Sequence, residues 1–274
     1  MRGVAIPARW LTFRAAGRSA GMRDVGRGTA APLQGSLART LTAGPAAQAS
    51  HRRDEQQNGT VMEHIRGLTI ARSLADAVAE PMALVVYDMQ VGIVSQLSDG
   101  ADVVARVAEV LDLGRQVGLR VFFTRHVSLP VEIAGVAQLR MAMDWQHRER
   151  ADEVVAPFPP EAPQTQIVPE LAPRGSEAVL DKITMSAFAG TYLDIALRDC
   201  GIPSFLIAGI ALEVGIEPTV RQATDLGYLP VVVTDACGSG NSEAAKRSLE
   251  ALAFAGGSLQ ADIASLRMVL SQRR

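Results

Sequence analysis

The segment Met82–Gln90, MALVVYDMQ, decides the fold, because its first six residues form an unbroken apolar run. A short run of this kind predicts a β-strand buried on both faces, as in a parallel sheet covered by helices. Asp88 follows the run directly, so its carboxyl group stands at the carboxyl end of the predicted strand. Parallel α/β sheets bind ligands beyond the carboxyl ends of their strands, which makes Asp88 the first candidate for chemistry.

Helical and strand-like patterns alternate along the rest of the chain. This alternation predicts βαβ units and therefore an α/β fold, a doubly wound six-stranded parallel sheet flanked by helices. The predicted strands are Met82–Tyr87, Leu119–Phe123, Glu177–Leu180, Ser204–Ala208, Leu229–Thr234 and Ser258–Ala261. The predicted helices are Leu68–Val78, one carrying the apolar stripe Val103, Val107, Val110 and Leu111, then Val136–Arg150, Tyr192–Cys200, Glu217–Leu226, Ser242–Ala255 and a short last helix behind Asp262.

The composition excludes several classes of protein. The chain has 274 residues, a formal net charge of -2 and 4% aromatic residues, so we expect neither a nucleic-acid binder that neutralises many phosphates nor a single-strand stacking platform. No window approaches the ~18 apolar residues of a membrane span, and we expect no membrane partner. Cys200 and Cys237 are too few for a disulfide framework, which favours a reducing, cytoplasmic location.

Residues 1–61 differ from the rest, because they hold nine arginines, three acidic residues and no lysine. Their small-residue composition lacks any sustained apolar period and predicts a disordered basic N-terminal extension. Three explanations compete: a basic tail with a partner, an organelle transit peptide, and translated sequence upstream of a start at Met62. We favour the third, since ordered-looking sequence begins near Met62, and we assign residues 62–274 to one folded domain.

Two further strand ends carry candidate functional groups. Lys182 follows the third predicted strand and is one of only two lysines in the chain, the other being Lys246 on a polar helix face. Lysine offers a compact charge whose pKa shifts readily, and a carboxyl on an apolar floor is suited to general acid–base catalysis. The segment after the fourth strand, Gly209–Thr219, leads into a helix, so we expect free N–H groups there for an anionic group.

Taken in order, these motifs resemble the isochorismatase-like hydrolase superfamily, which includes nicotinamidases, carbamoylsarcosine amidases and isochorismatases. The resemblance covers about Ala83 to Ala261 and implies a site built by an Asp, a Lys and a nucleophilic Cys. It also implies a homo-oligomer and a non-proline cis peptide bond between Ile210 and Ala211. The residues that carry it are Tyr87–Gln90, Asp181–Lys182 with Ser186–Phe188, Ala208–Ala211 with Thr219, Gly227–Tyr228 and Asp235–Ala236.

Asp88 and Lys182 match the first two members of that site, but Gly215 stands where the amidases carry Cys. Glycine has no side chain that can form an acyl-enzyme, and neither Cys200 nor Cys237 can be aligned with this position. True isochorismatases resemble the chain here, since they also carry Gly and hydrolyse an enol ether with release of pyruvate. By this resemblance Asp88 is the general acid/base beside Lys182, and Gly215 leaves room for a ring or a water.

The family pocket and side-chain polarity suggest further substrate contacts. Arg125 with His126 is a candidate carboxylate site, although His126 is equally interpretable as a satisfied polar residue near a strand end. The Asp-x-His-Pro segment of the family's metal site is here Thr124–Val127, so we predict no metal and no cofactor. The candidate substrate-binding residues are Gln90, Arg125, His126, Trp145, Phe188 and Ala211; Trp145 and Phe188 are as consistent with packing as with substrate walls.

Three functions remain open on these residues, and the expected partner of an enzyme is its small-molecule substrate. The first is a Cys-independent hydrolase that acts on an enol ether or another small carboxylated metabolite. The second is an amidase with a displaced nucleophile, for which Cys237 is the candidate. The third is a catalytically silent relative that binds a ligand or assembles with partners, against which the presence of Asp88 and Lys182 argues.

Overall fold

The computed structural model describes residues 63–66 and 68–272, so the expected disordered extension and the start at Met62 lie outside the described residues. The described chain alternates strands and helices as predicted. Its elements are β1 (Glu63–Ile65), β2 (Leu68–Ile70), α1 (Leu74–Ala79), β3 (Met82–Tyr87), α2 (Val91–Val94), α3 (Gly100–Gln116), β4 (Arg120–His126), α4 (Val136–Gln146), β5 (Ala178–Lys182), α5 (Leu193–Asp199), β6 (Ser204–Ile210), α6 (Glu217–Asp225), β7 (Leu229–Gly238), α7 (Ser242–Ala255), β8 (Leu259–Ala261) and α8 (Ile263–Leu270).

The main sheet has six parallel strands in the order β5-β4-β3-β6-β7-β8, which confirms the predicted fold class. From β3 the chain proceeds outward through β4 to β5, then returns to β6 on the other side of β3. The direction of winding therefore reverses between β3 and β6. In doubly wound sheets a crevice opens beyond the carboxyl ends of the strands at such a point, and Asp88 and Ala211 stand there.

Strand β3 is buried along its whole length, and its side chains alternate between two hydrophobic clusters. Leu84 and Val86 pack on the side of α3, where the predicted apolar stripe is buried. Val85 and Tyr87 face the opposite cluster, to which α5 and α6 contribute. Each fully buried aliphatic side chain contributes roughly 1.5–3 kcal/mol, so the sheet is held firmly from both faces.

Two predicted helices differ from the observed ones. The predicted helix Leu68–Val78 is wrong in its first part, because Leu68–Ile70 pairs antiparallel with β1, and α1 begins only after Ser73. A capping box sets that start: Ser73 Oγ accepts from the Asp76 N–H, and the Asp76 carboxylate accepts from the Ser73 N–H. The helix predicted to reach Arg150 ends at Gln146, where His147 adopts a left-handed conformation with φ 51°.

Four strands extend further than the apolar runs predicted. Strands β4, β5, β6 and β7 continue to His126, Lys182, Ile210 and Gly238, because backbone pairing persists after the side chains change character. Within the described residues, no helix combines the length and the apolar character needed to cross a membrane.

The segment between β4 and β5 packs over the end of β3. The N–H of Val168 donates to the carbonyl of Met89, and the N–H of Val91 donates to the carbonyl of Gln166. Apart from α4, this segment contains short 3-10 turns. It forms one wall of the crevice.

Candidate active site

Asp88 and Lys182 form a buried ion pair at the floor of the crevice. Nζ of Lys182 lies 2.7 Å from Oδ2 of Asp88, with the Lys182 side chain 0% and the Asp88 side chain 6% exposed. Thr124 on β4, between the strands that carry the pair, donates its hydroxyl to Oδ1 of Asp88 at 2.6 Å. Lys182 also donates to the carbonyl of Thr184 at 3.1 Å. A buried ion pair is stable only when its remaining donors and acceptors are satisfied, and these bonds meet that condition.

The backbone at Asp88 adopts a left-handed conformation, with φ 46°. A regular strand would direct Asp88 and Tyr87 to opposite faces of the sheet. The left-handed residue breaks that alternation and lets the carboxylate reach the face that carries Lys182 and Thr124. Asp is among the residues that tolerate this region, which is sparsely populated and concentrated at functional sites.

The side chain of Tyr87 occupies the space beside Gly215. A Cβ at Gly215 would overlap the hydroxyl oxygen and two ring carbons of Tyr87. The room expected there for a substrate ring or a water is therefore taken by the protein itself. The Tyr87 hydroxyl donates to the carbonyl of Met185, and the ammonium of Lys182 lies 4.4 Å from the centre of the Tyr87 ring.

Burial raises the pKa of the Tyr87 hydroxyl well above its ordinary value, and the nearby Asp88 charge raises it further. The phenol therefore stays protonated at neutral pH and is a hydrogen-bond donor rather than a nucleophile. Gly209, paired with Tyr87 in the sheet, permits the close approach of β6, because a Cβ there would overlap the Tyr87 carbonyl.

A cavity opens above the ion pair. Of the predicted site residues, His126, Trp145, Ala211 and Gly215 line it, together with Asp88 and Tyr87. The Ile210–Ala211 peptide bond at its edge is cis, as the resemblance implies. A second cavity lies beside the first, and His126 and Trp145 line both.

His126 is neutral at physiological pH. Burial lowers its pKa to about 4, and the positive charge of Lys182 acts in the same direction. Its ring contacts Phe158 edge-on, with ring centres 6.1 Å apart. His126 therefore presents an uncharged polar edge to the cavity.

Three predicted substrate contacts, Arg125, Gln90 and Phe188, do not line the cavity. The guanidinium of Arg125 pairs with both carboxylate oxygens of Asp181, at 2.7 and 2.8 Å, and donates to Gln166. The register between the parallel strands β4 and β5 explains this ion pair. It sets Arg125 beside Asp181 on one face of the sheet and His126 beside Lys182 on the other face.

Gln90 and Phe188 are structural in this arrangement. The Gln90 side chain is buried, donates to the carbonyls of His126 and Thr165 and accepts from the His126 N–H, so it joins the ends of β3 and β4. Phe188 stacks on Tyr228 with ring centres 5.6 Å apart, inside the second hydrophobic cluster. Neither residue lines the cavity.

The N–H groups expected to point into the crevice are partly engaged by the chain. A π-helical turn, Leu212–Ile216, precedes α6, and the N–H groups of Val214, Gly215 and Ile216 all donate to the carbonyl of Ala211. The expectation of free donors is therefore wrong for these three positions.

The residues present do not fit the family's metal site. Thr124, at the position where the resemblance implies an aspartate, has its hydroxyl on Asp88. Over residues 68–272 no three His, Cys, Asp or Glu side chains come close enough to hold an ion.

The cysteines are unsuited to nucleophilic catalysis in this arrangement. The thiol of Cys237 donates to the carbonyl of Val233 at 3.2 Å, and burial raises its pKa to about 12. The thiolate is the nucleophilic form, so Cys237 is almost wholly unreactive near neutral pH. Neither Cys237 nor Cys200 lines the cavity.

Sequence reasoning missed Tyr87, Thr124, Phe158 and Met185 as parts of the site. The sequence does contain a signal for Thr124, because it precedes His126 by two residues and a strand places residues with this spacing on the same face. Tyr87 belongs to the apolar run that defines β3 and therefore resembles an ordinary core residue.

Comparison with known proteins gives one consistent result. The family model of the isochorismatase domain matches residues 82–264. The chain is 30% identical over 164 residues to the uncharacterized isochorismatase family protein YwoC of Bacillus subtilis, which covers 59% of this chain and 79% of that protein. It is 29% identical over 174 residues to the ureidoacrylate amidohydrolase RutB of Serratia proteamaculans, covering 56% and 68% of the two proteins. An isochorismatase family protein from Desulfovibrio vulgaris superposes with a TM-score of 0.58 at 27% identity, covering 70% of this chain and 99% of that one.

The packing of Tyr87 against Gly215 predicts a strong coupling between the two positions. Gly215→Ala should lower the free energy of unfolding by ~1–3 kcal/mol through overpacking. Tyr87→Val removes the ring, so the double variant should lose at least ~1 kcal/mol less than the sum of the single variants. Urea unfolding measures all three.

Gly175→Ala is the matched control, because a Cβ at Gly175 meets nothing within 4 Å. It should change stability by no more than ~0.5 kcal/mol. Strict additivity at positions 87 and 215 would contradict the observed packing.

The lowered pKa of His126 predicts an acid-sensitive contribution to stability. Between about pH 6.5, where the unfolded histidine titrates, and about pH 4, the unfolded state binds the proton and the folded state does not. Stability therefore falls with decreasing pH across this window, by on the order of 3 kcal/mol in total. The unfolding free energy of His126→Gln, measured over the same range, should lack this component. Parallel pH profiles for the two proteins would refute the assignment.

Proposed function

The chain belongs to the isochorismatase family of hydrolases, and from that premise we propose that it hydrolyses a small molecule without a covalent enzyme intermediate. Asp88 acts as general acid/base, and Lys182 is its proton partner. The observation that carries the proposal is the filling of the space beside Gly215 by Tyr87, while the Asp88–Lys182 pair remains intact at the cavity floor. An acid and a water remain as the means of catalysis.

Hydrolysis of an enol ether is the reaction class that these groups support best. Its slow step is protonation of a vinyl carbon, which needs an acid and no nucleophilic side chain. Burial lowers the pKa of the Lys182 ammonium, against the opposing effect of Asp88, so its proton is easier to release than that of an exposed lysine. With Nζ 2.7 Å from Oδ2, Lys182 can pass this proton to Asp88, which delivers it to the substrate.

The remaining steps return the pair to its starting state. Protonation of the vinyl carbon leaves an oxocarbenium ion, and a water adds to its carbon atom. The proton released by that water returns to the Asp88–Lys182 pair. The resulting hemiketal then breaks its bond to the alkoxy oxygen, giving a ketone and an alcohol, so one water is consumed and no group stays on the protein.

A second candidate is hydrolysis of an amide or a ureido group. The similarity to a ureidoacrylate amidohydrolase supports it. In this chain Asp88 would have to activate a water, since Cys237 is protonated and outside the cavity. We further propose, from the family resemblance and the composition, a cytoplasmic homo-oligomer whose partner is its small-molecule substrate; exposed Phe254 and Ile195 offer apolar surface for association.

Removing the acid should abolish most of the activity. A screen with isochorismate, simpler vinyl ethers, small amides and ureas provides the substrate. For the substrate found, Asp88→Asn should lower kcat by ~10²–10⁴-fold, the usual contribution of general acid–base catalysis. Asp181→Asn is the matched control, because Asp181 precedes Lys182 on the same strand but pairs with Arg125. Undiminished turnover by folded Asp88→Asn would sink the mechanism.

The two lysines of the chain provide a second test with a matched control. Lys182→Met should lose activity to a similar extent, whereas Lys246→Met, which removes the only other lysine, should retain it. Each single change at the ion pair leaves one buried group unpaired and is expected to destabilise the fold by ~3–5 kcal/mol. The double variant Asp88→Asn/Lys182→Met avoids the unpaired charge, so it should fold more stably than either single variant and remain inactive. Recovery of activity with stability would show that the pair is merely structural.

The absence of a thiol from the described cavity predicts resistance to alkylation. Iodoacetamide should leave kcat within about twofold of the untreated value, with mass spectrometry reporting which cysteines react. Cys237→Ala should likewise retain activity. Inactivation that Cys237→Ala prevents would instead establish the amidase with a displaced nucleophile.

A further inference from the structure

The active-site cavity contains no unpaired cation among the residues that line it in the described chain. Asp88 is the only acidic residue in its wall, and neither Arg nor Lys contributes to that wall. The neighbouring cavity is also formed without Arg or Lys. A third cavity shares Trp145, Met185 and Val214 with the first; it contains Arg247 but also the acidic residues Asp144, Glu213 and Glu217, so its wall is acidic overall. The other basic groups near the floor of the first cavity are those of Arg125, Lys182 and His126.

None of these three groups offers an unpaired positive charge to the cavity at neutral pH. The Arg125 guanidinium makes a bidentate pair with Asp181 and a further bond to Gln166, away from the cavity. The Lys182 ammonium is fully buried against Asp88, so the pair is neutral as a unit. His126 is uncharged at neutral pH, with a pKa of about 4.

The rest of the wall is carbon-rich and partly aromatic. Its apolar side chains include the aromatic rings of Trp145 and Phe158 and the side chains of Met185, Ile93 and Val214. These surfaces favour a flat apolar group, which gains free energy by leaving water.

A carboxylate entering this cavity would lose its hydration and meet no unpaired cation in the wall in exchange. Resting on the proposed function, which takes this cavity as the active site, we infer that the substrate is an uncharged, predominantly apolar molecule bearing the hydrolysable bond, and not a carboxylate. The carboxylated metabolite expected from Arg125 and His126 is disfavoured for the same reason.

Trp145 supplies a direct readout of binding. The chain has two tryptophans, Trp10 and Trp145, so a Trp10→Phe protein reports on the cavity wall alone. This protein is titrated at pH 7.5 with benzamide and benzoate, which have the same shape and differ in charge. Benzamide should give a saturable change in Trp145 fluorescence, with benzoate binding at least ~10-fold more weakly, equivalent to about 1.4 kcal/mol. Equal affinities, tighter binding of benzoate or no binding of benzamide would each overturn the inference.

A charge placed in the wall should reverse this preference. Gln96 lines the cavity, and Gln96→Arg in the Trp10→Phe protein should make benzoate the tighter ligand. Gln116→Arg, on the exposed end of α3, is the control and should leave the preference for benzamide unchanged. An unchanged preference in folded Gln96→Arg would show that the probes bind elsewhere and would overturn the inference.

Failure of this inference is distinguishable from failure of the proposed function. A preference for benzoate combined with an inactive Asp88→Asn variant would reject the substrate class and keep the mechanism. A preference for benzamide combined with a fully active Asp88→Asn variant would reject the mechanism and keep the substrate class.

Discussion

The buried ion pair between Asp88 and Lys182 is the interaction on which the site depends. The two residues are 94 positions apart, and the strands that carry them are separated by β4. An unpaired charge at this depth is strongly destabilising, so the sheet must hold both strand ends in register. Thr124 on the intervening strand satisfies the second carboxylate oxygen, and the left-handed backbone at Asp88 aims the carboxylate toward its partners. The contacts that stabilise these strand ends are therefore also those of the proposed reactive centre.

Tyr87 and Gly215 add a second constraint of a different kind. The ring of Tyr87 and a side chain at position 215 exclude one another, because both would occupy the same space. The site thus replaces a thiol with a protonated phenol that is anchored to the carbonyl of Met185. A glycine at position 215 supplies no nucleophile, which is why we propose acid–base chemistry with water. The absence of a cysteine there is therefore coupled to a specific residue on the neighbouring strand.

The sequence predicts the fold well, because each buried strand is an apolar run and the helices show clear periodicity. It also predicts Asp88 and Lys182, since a charged residue directly after a buried strand is unusual and parallel strand ends converge. The family pocket and side-chain polarity predict Arg125 and Gln90 as substrate contacts, whereas the pleat and the register decide where these side chains point. The predicted strand stops at Phe123, whereas β4 reaches His126. A prediction that reached His126 would place Arg125 on one face of the sheet and Thr124 and His126 on the other. The role of Tyr87 could not be predicted, because it arises from the approach of residues 128 positions apart.

A site without net charge follows from these arrangements, and its behaviour depends on the protonation of one lysine. Because Lys182 and Lys246 are the only lysines, ¹⁵N labelling of lysine yields two side-chain Nζ signals, and Lys246 is the exposed one. The NMR titration of Lys182 Nζ tests the central claim most directly. The account predicts that Lys182 titrates below the ordinary lysine pKa and that Asp88→Asn, which removes the opposing charge, lowers it further. An ordinary lysine titration, or one that Asp88→Asn leaves unchanged, would show that the two groups do not form the pair on which this site is built.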